Sequence, residues 1–174
     1  MVIFWIILGV VVGMFLFTVF FGAPYVPSRK RELGGVFEKL YKLKKDDLLV
    51  DVGSGDGVVL REVARHGVQG VGYEINPVLW LISKARLRKS VGVEVRLKNF
   101  LWAELPEETT VVYIFGAERL MGKIYGKLRE FAREHKKTVW LISYGFEVSE
   151  VECARKLGGY FLYKIEGKQI RNLK

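Results

Sequence analysis

The run Asp51-Val52-Gly53-Ser54-Gly55-Asp56-Gly57 follows directly on the apolar stretch Leu48-Leu49-Val50, and a second apolar run ends at Gly72-Tyr73-Glu74. A strand that breaks into alternating glycines lets the backbone approach a ligand closely, and it opens a helix whose first amides can receive that ligand. A carboxylate at the tip of the next strand is then placed to accept the two hydroxyls of a ribose. The dinucleotide fingerprint asks for glycine where Val58 stands. The spacing Asp-x-Gly-x-Gly-x-Gly, with Glu74 in register, therefore favours S-adenosylmethionine over NAD. The cofactor-binding candidates read from this pattern are Asp51, Gly53, Ser54, Gly55, Gly57, Glu74 and its neighbour Ile75. Metal chemistry finds no support, because Cys153 is alone and His66 and His135 have no ligand-like spacing.

The elements that must position these residues alternate. Strands are expected at about 47–52, 70–75, 93–98, 110–115 and 137–143, with helices at about 56–66, 77–90 and 117–135. Such alternation predicts an α/β fold, a Rossmann-like, mostly parallel sheet with helices on both faces. The runs 151–156 and 160–166, separated by Gly158-Gly159, predict a C-terminal antiparallel hairpin. Upstream, Ser28 is a fair N-cap for a helix on which Leu33, Val36, Phe37, Leu40 and Leu43 recur at roughly helical spacing. Trp80 and Trp102 are expected in the core or at a sheet edge.

The chain has 174 residues, room for one domain and an appendage. From Val2 to Ala23 there is no charged residue. As a helix this stretch would span ~33 Å at ~1.5 Å per residue, against a hydrocarbon core of ~30 Å, which predicts one N-terminal transmembrane helix. The basic cluster that begins at Arg29, Lys30 and Arg31 would place the following domain in the cytoplasm. The organisation expected is an anchor at 1–23, a Pro-containing linker and helix at 24–45, and the catalytic domain at 46–174. The formal charge of +9 then falls on the part after the anchor. Anionic membrane lipid, nucleic acid or an acidic protein surface could answer that charge, as could a merely solvated surface, and lipid comes first for a tethered domain. The span 117–135, with Arg119, Lys123, Lys127, Arg129 and Arg133, offers a basic helix face.

From about Asp46 to Lys168 the chain resembles the class I, seven-strand S-adenosylmethionine-dependent methyltransferases. A narrower likeness rests on Gly22-Ala23-Pro24-Tyr25-Val26-Pro27-Ser28, the loop 51–57, Gly72-Tyr73-Glu74-Ile75-Asn76-Pro77 and Phe115-Gly116. These are similar to the small protein-lysine methyltransferases, a family that includes membrane-anchored mitochondrial enzymes acting on the adenine nucleotide translocase and the ATP synthase c-subunit, and a soluble archaeal relative. The resemblance implies Asp51, Gly53 and Gly55 at the methionine end of the cofactor, Glu74 on its ribose, and Asn99 and Phe100 at its adenine. It implies that Tyr25, Pro27 and Ser28 fold over the cofactor and border the target lysine. Tyr25, Phe115 and Tyr144 are candidates for walls of the acceptor channel, with ordinary packing the alternative for Phe115 and, more strongly, for Tyr144 at its strand end. The implied partner is a protein with a lysine near the membrane surface.

Two positions depart from the family pattern. Val58 stands where arginine is usual, and Phe146-Glu147-Val148-Ser149 stands where a Trp-Pro element is common. The second departure leaves the protein substrate open. An amino-methyltransferase of nucleic acid should carry an Asn/Asp-Pro-Pro-Tyr-like turn after the fourth strand, and here that turn is Ile114-Phe115-Gly116-Ala117, which weighs against nucleic acid. A lipid or quinone methyltransferase and a non-catalytic cofactor-binding module stay open as alternatives.

Overall fold

The computed structural model describes residues 1–21, 30–116 and 118–167. Its seven-stranded sheet has the order β3-β2-β1-β4-β5-β7-β6. In chain order the strands are β1 (Leu48–Val52), β2 (Gln69–Glu74), β3 (Val93–Leu97), β4 (Thr109–Phe115), β5 (Thr138–Tyr144), β6 (Arg155–Leu157) and β7 (Tyr160–Glu166). Strands β1 to β5 pair in parallel, while β7 runs antiparallel to both β5 and β6. The chain builds outward from β1 to β3 and then returns to the other side of β1 as β4. That reversal leaves a crevice at the carboxyl ends of β1 and β4, the place where open α/β sheets bind ligands.

Period-two alternation assigns the side chains to two faces. Leu49, Val111, Tyr113, Ile142 and Leu162 pack against α3 (Val58–Arg65) and against Leu33, Val36 and Phe37, which come from the short α2 (Lys30–Gly35) and the π turn Val36–Leu40 after it. On the other face Val50, Val112, Ile114 and Leu141 meet Ile124, Leu128 and Phe131 of α5 (Met121–Glu134). Each such aliphatic side chain contributes ~1.5–3 kcal/mol when fully buried. Helix α4 (Pro77–Leu87) lies beside α3, closing a small cluster of Leu60, Leu87 and Val95. Helices thus cover both faces, as the alternation predicts.

Buried Asp47 ties the segment before β1 to the sheet. Its carboxylate accepts from the Tyr41 hydroxyl, from the Lys44 amide at 2.8 Å and from the Thr110 hydroxyl at 2.7 Å. The C-terminal hairpin forms through the Gly158-Gly159 turn, but its first strand is shorter than expected. Val148 is buried, with its amide donating to the Tyr163 hydroxyl at 2.9 Å, so the chain before Arg155 is held as a loop and not as an edge strand.

Two expectations are corrected. Val2–Phe21 forms one helix, α1, whose side chains are described at residues 2–10, 12 and 13. Among the described residues no helix is long and apolar enough to cross a membrane. The transmembrane helix, and the single-pass membrane location with a cytoplasmic domain that was built on it, are withdrawn. Trp102 is the second correction. It is 86% exposed, because the 3-10 turn Phe100–Trp102 turns Phe100 into the core and Trp102 out of it. Trp80 does sit at the sheet edge, its indole donating to the Val95 carbonyl at 3.2 Å.

Candidate active site

The loop after β1 is set by three left-handed glycines, Gly53 (φ 69), Gly55 (φ 54) and Gly57 (φ 79), a region that residues with a Cβ avoid. The amides of Gly53 and Ser54 both donate to the Tyr73 carbonyl, at 2.9 and 3.0 Å, which moors the loop to the end of β2. Among the described residues, nothing beyond its chain neighbours lies within 4 Å of where a side chain on Gly53 would begin. Behind the loop the packing is tight instead. A Cβ on Gly72 would come within 2.7 Å of both Leu60 and Ser54, so this glycine lets α3 and the loop close onto β2. Asp56 is paired with Arg86 of α4, a brace on the loop's outer side.

Glu74 is buried, and backbone amides aim its carboxylate. Oε2 accepts from Gly55 N at 2.7 Å and Oε1 from Asn76 N at 2.8 Å. Asn76 is itself fixed as the N-cap of α4, accepting from the amides of Val78 and Leu79, with Pro77 at the first helical position. A carboxylate has about four lone-pair sites, so Glu74 retains capacity for hydroxyl donors. Ile75, next along, is exposed.

Asp51 is only 2% exposed, and its Oδ2 has no hydrogen-bond partner among the described residues. Burial, and then the nearby Glu74 carboxylate, push its pKa from 3.8 up to about 8. An orphaned buried carboxylate beside an open glycine loop is an arrangement that a cationic ligand completes. Together with the aimed Glu74, these residues fit a nucleoside cofactor that carries positive charge.

The strand register places a second group on the same sheet face. Phe115 is opposite Tyr144, and Tyr144 is opposite Tyr160. Their rings form a continuous row, with centroids 4.7 Å apart for Phe115 and Tyr144 and 4.2 Å for the stacked Tyr144 and Tyr160. By the same alternation Asp51, opposite Gly72 on β2 and Tyr113 on β4, faces this side, as does Glu74 two residues after Gly72. One edge of one face therefore carries carboxylates at β1 and β2 and aromatic rings at β4, β5 and β7.

The remaining sequence candidates divide. Asn99 caps the 3-10 turn after β3, its side chain accepting from Leu101 N at 2.9 Å. The Phe100 ring is buried in the core, edge-on to Tyr73 with centroids 5.9 Å apart. Tyr25, Pro27 and Ser28 lie outside the described residues. Sequence reasoning missed Tyr160, since its place depends on how β7 registers against β5. It also missed Asn76, although an Asn-Pro pair before an apolar run is a legible helix start.

The ANTKMT methyltransferase domain matches residues 51–155, more than half of the chain and the stretch that carries the loop, Glu74 and most of the aromatic row. The chain belongs to that family. Among relatives of this methyltransferase domain, the ATP synthase c-subunit lysine N-methyltransferase of Caenorhabditis elegans is 40% identical over 115 residues, covering 62% of this chain and 60% of the relative. The ribosomal RNA small subunit methyltransferase A of Thermotoga neapolitana is 37% identical over 94 residues, covering 48% of this chain and 36% of the relative. The chain thus spans less than two thirds of either relative. A solved RNA methyltransferase from Salinibacter ruber, in complex with S-adenosyl-L-homocysteine, superposes with a TM-score of 0.73 at 26% identity, covering 86% of this chain and 99% of that one. The resemblance to class I methyltransferases read from the sequence is borne out.

Proposed function

We propose that this methyltransferase domain moves a methyl group from S-adenosylmethionine to the side-chain amine of a lysine in a protein. The observation that carries the reading is the division of one sheet edge into a carboxylate half and an aromatic half. When bound, S-adenosylmethionine supplies a methyl group already activated on a sulfonium, so the chain's residues have to align and to exclude water. Glu74, held by the amides of Gly55 and Asn76, would take the ribose hydroxyls. Asp51 would face the cationic methionine end, and the glycine loop would let it come close. Ile75, exposed beside Glu74, and Asn99 would border the adenine.

The acceptor lysine must arrive without its proton. From an ordinary pKa of ~10.4, deprotonation at pH 7 costs ~4.6 kcal/mol at ~1.36 kcal/mol per unit. An apolar wall lowers that cost by disfavouring the ammonium, and the Phe115, Tyr144 and Tyr160 row supplies such a wall. Tyr25, carried over from the family pattern together with Pro27 and Ser28, would complete the channel as a hydrogen-bond partner of the amine. The match to the lysine N-methyltransferase relative supports the acceptor class.

A second reading is methyl transfer to RNA, favoured by the +9 charge and by the ribosomal RNA methyltransferase relative. Against it stands the turn Ile114-Phe115-Gly116, which lacks the polar and proline residues that hold a planar base amine. Incubating the full chain with labelled S-adenosylmethionine and a cell lysate, then separating protein, RNA and lipid, decides between them. Label in protein, recovered as methyllysine on hydrolysis, is the expected result; label confined to RNA or lipid would refute the lysine reading.

A further inference from the structure

We propose that Lys127 is a positioning residue for the adenine end of the cofactor site, holding the Asn99–Ala103 turn in place from α5. This rests on the reading that Asn99 borders the adenine. In the sequence Lys127 belongs to a basic helix face. Its neighbours on that face, Arg119, Lys123, Arg129 and Arg133, are exposed, but Lys127 is half-buried and turned inward. Its Nζ donates to the Phe100 carbonyl at 2.8 Å, to the Leu101 carbonyl at 3.1 Å and to the Ala103 carbonyl. An ammonium has three donors, and these three carbonyls can take them all. The charge also lies 5.1 Å from the centroid of the Phe100 ring.

The turn needs this support. Three residues of 3-10 helix have few bonds of their own and leave carbonyls at their end unpaired. Here the internal bonds are few: the amides of Trp102 and Ala103 donate to the Asn99 carbonyl at 3.1 and 3.0 Å, the Ala103 amide also reaches the Phe100 carbonyl at 3.2 Å, and Leu101 N donates to the Asn99 side chain, so the Leu101 and Ala103 carbonyls depend on Lys127 and the Phe100 carbonyl is shared with it. A cation at the carboxyl end of such a turn satisfies those carbonyls and suits the local dipole. Burial lowers the pKa of Lys127, so the ammonium gives up part of its hydration to sit there. The turn also adjoins the ribose carboxylate, because Lys98 N donates to the Glu74 carbonyl at 3.0 Å, one residue before Asn99. Fixing residues 99–103 from α5 therefore fixes Asn99 relative to Glu74.

The test uses the full chain and the variant Lys127→Met, which keeps length and apolar volume but removes the charge. Calorimetry is run with S-adenosylhomocysteine and with 5′-methylthioadenosine, which shares the nucleoside but lacks the amino-acid end. Both should bind about 5- to 10-fold more weakly and by the same factor, the scale of re-ordering one short segment on binding. Amides 101–103 should exchange hydrogen faster in the free variant and regain protection with either ligand. In turnover, KM for S-adenosylmethionine should rise by that factor and KM for the acceptor should not. If Lys127→Met does not fold, Lys127→Arg keeps the charge in a different shape and should weaken both ligands about 2- to 3-fold. Unchanged affinity in a folded variant, or a loss seen with S-adenosylhomocysteine alone, overturns the role of Lys127. Failure of the wild-type chain to bind either nucleoside overturns the cofactor reading itself.

Discussion

Replacing Asp51 by asparagine should stabilise the ligand-free domain and weaken cofactor binding at the same time. The carboxyl of Asp51 has an ordinary pKa of 3.8 and is held at about 8 by burial and by Glu74. Between those two values the folded chain carries a proton that the unfolded chain has released. Stability must then fall as pH rises from about 4 to about 8, because the native state binds more protons than the unfolded one throughout that window. At pH 7 the penalty reaches ~4 kcal/mol, at ~1.36 kcal/mol for each unit separating pH 7 from the unfolded value. Asparagine has the same shape and no proton to retain. It brings a buried amide of its own, so the expected gain at pH 7 is ~1–4 kcal/mol. The assay is urea unfolding of the wild type and Asp51→Asn at a series of pH values from 5 to 8, taking the difference between them so that other titrating groups cancel. The difference should widen steadily with pH and level off near 8. Cofactor binding should show the converse linkage: a cation beside Asp51 restores its ionised form, so calorimetry in two buffers should record release of about one proton at pH 7 and an affinity that rises toward pH 8. A flat stability difference across the window would refute the argument that Asp51 is held protonated. An Asp51→Asn variant with undiminished cofactor affinity would refute its place at the site.

Glu74→Gln should weaken S-adenosylmethionine by ~1.5–3 kcal/mol in calorimetry, the scale of hydrogen bonds to a charged group, while the fold survives. Gly72→Ala should lower unfolding stability by ~1–3 kcal/mol, because its Cβ would meet Leu60 and Ser54 at 2.7 Å, and normal stability would mean that α3 can move away at little cost. Tyr160→Leu removes the ring stacked on Tyr144 and should raise KM for the acceptor about 3- to 10-fold, with cofactor affinity unchanged, in steady-state kinetics.

What could be read in the sequence was whatever is decided locally. The glycines of the loop, the carboxylate at the end of β2 and the alternation of strand and helix depend on residues within a few positions of one another, and each falls where the pattern puts it. Phe115 and Tyr144 could be read as strand ends, but not that Tyr160 completes their row, since that requires β7 to insert between β5 and β6. Lys127 reads as one basic residue among several on a helix surface. Only the tertiary placement of the 99–103 turn gives its ammonium carbonyls to bind. Trp102 misled for a related reason: size and apolarity argue for burial, yet in so tight a turn Phe100 takes the core position. At the N-terminus composition spoke strongly of an apolar helix, and a helix forms over Val2–Phe21, but composition alone does not establish a membrane span.

The order β3-β2-β1-β4-β5-β7-β6 also separates the two halves of the site in time. Asp51, the glycine loop, Glu74 and Asn99 all fall within the first hundred residues, on or directly after three strands that pair with one another. The aromatic row is finished only when Tyr160 arrives on β7, a strand that must push in beside β5 from the far end of the chain. A ribosome-bound chain halted before residue 160 would hold every carboxylate of the site and only two of its three rings. Evolution can likewise reshape the final hairpin, and with it the third ring of the row, without disturbing the three strands that carry Asp51, the glycine loop and Glu74.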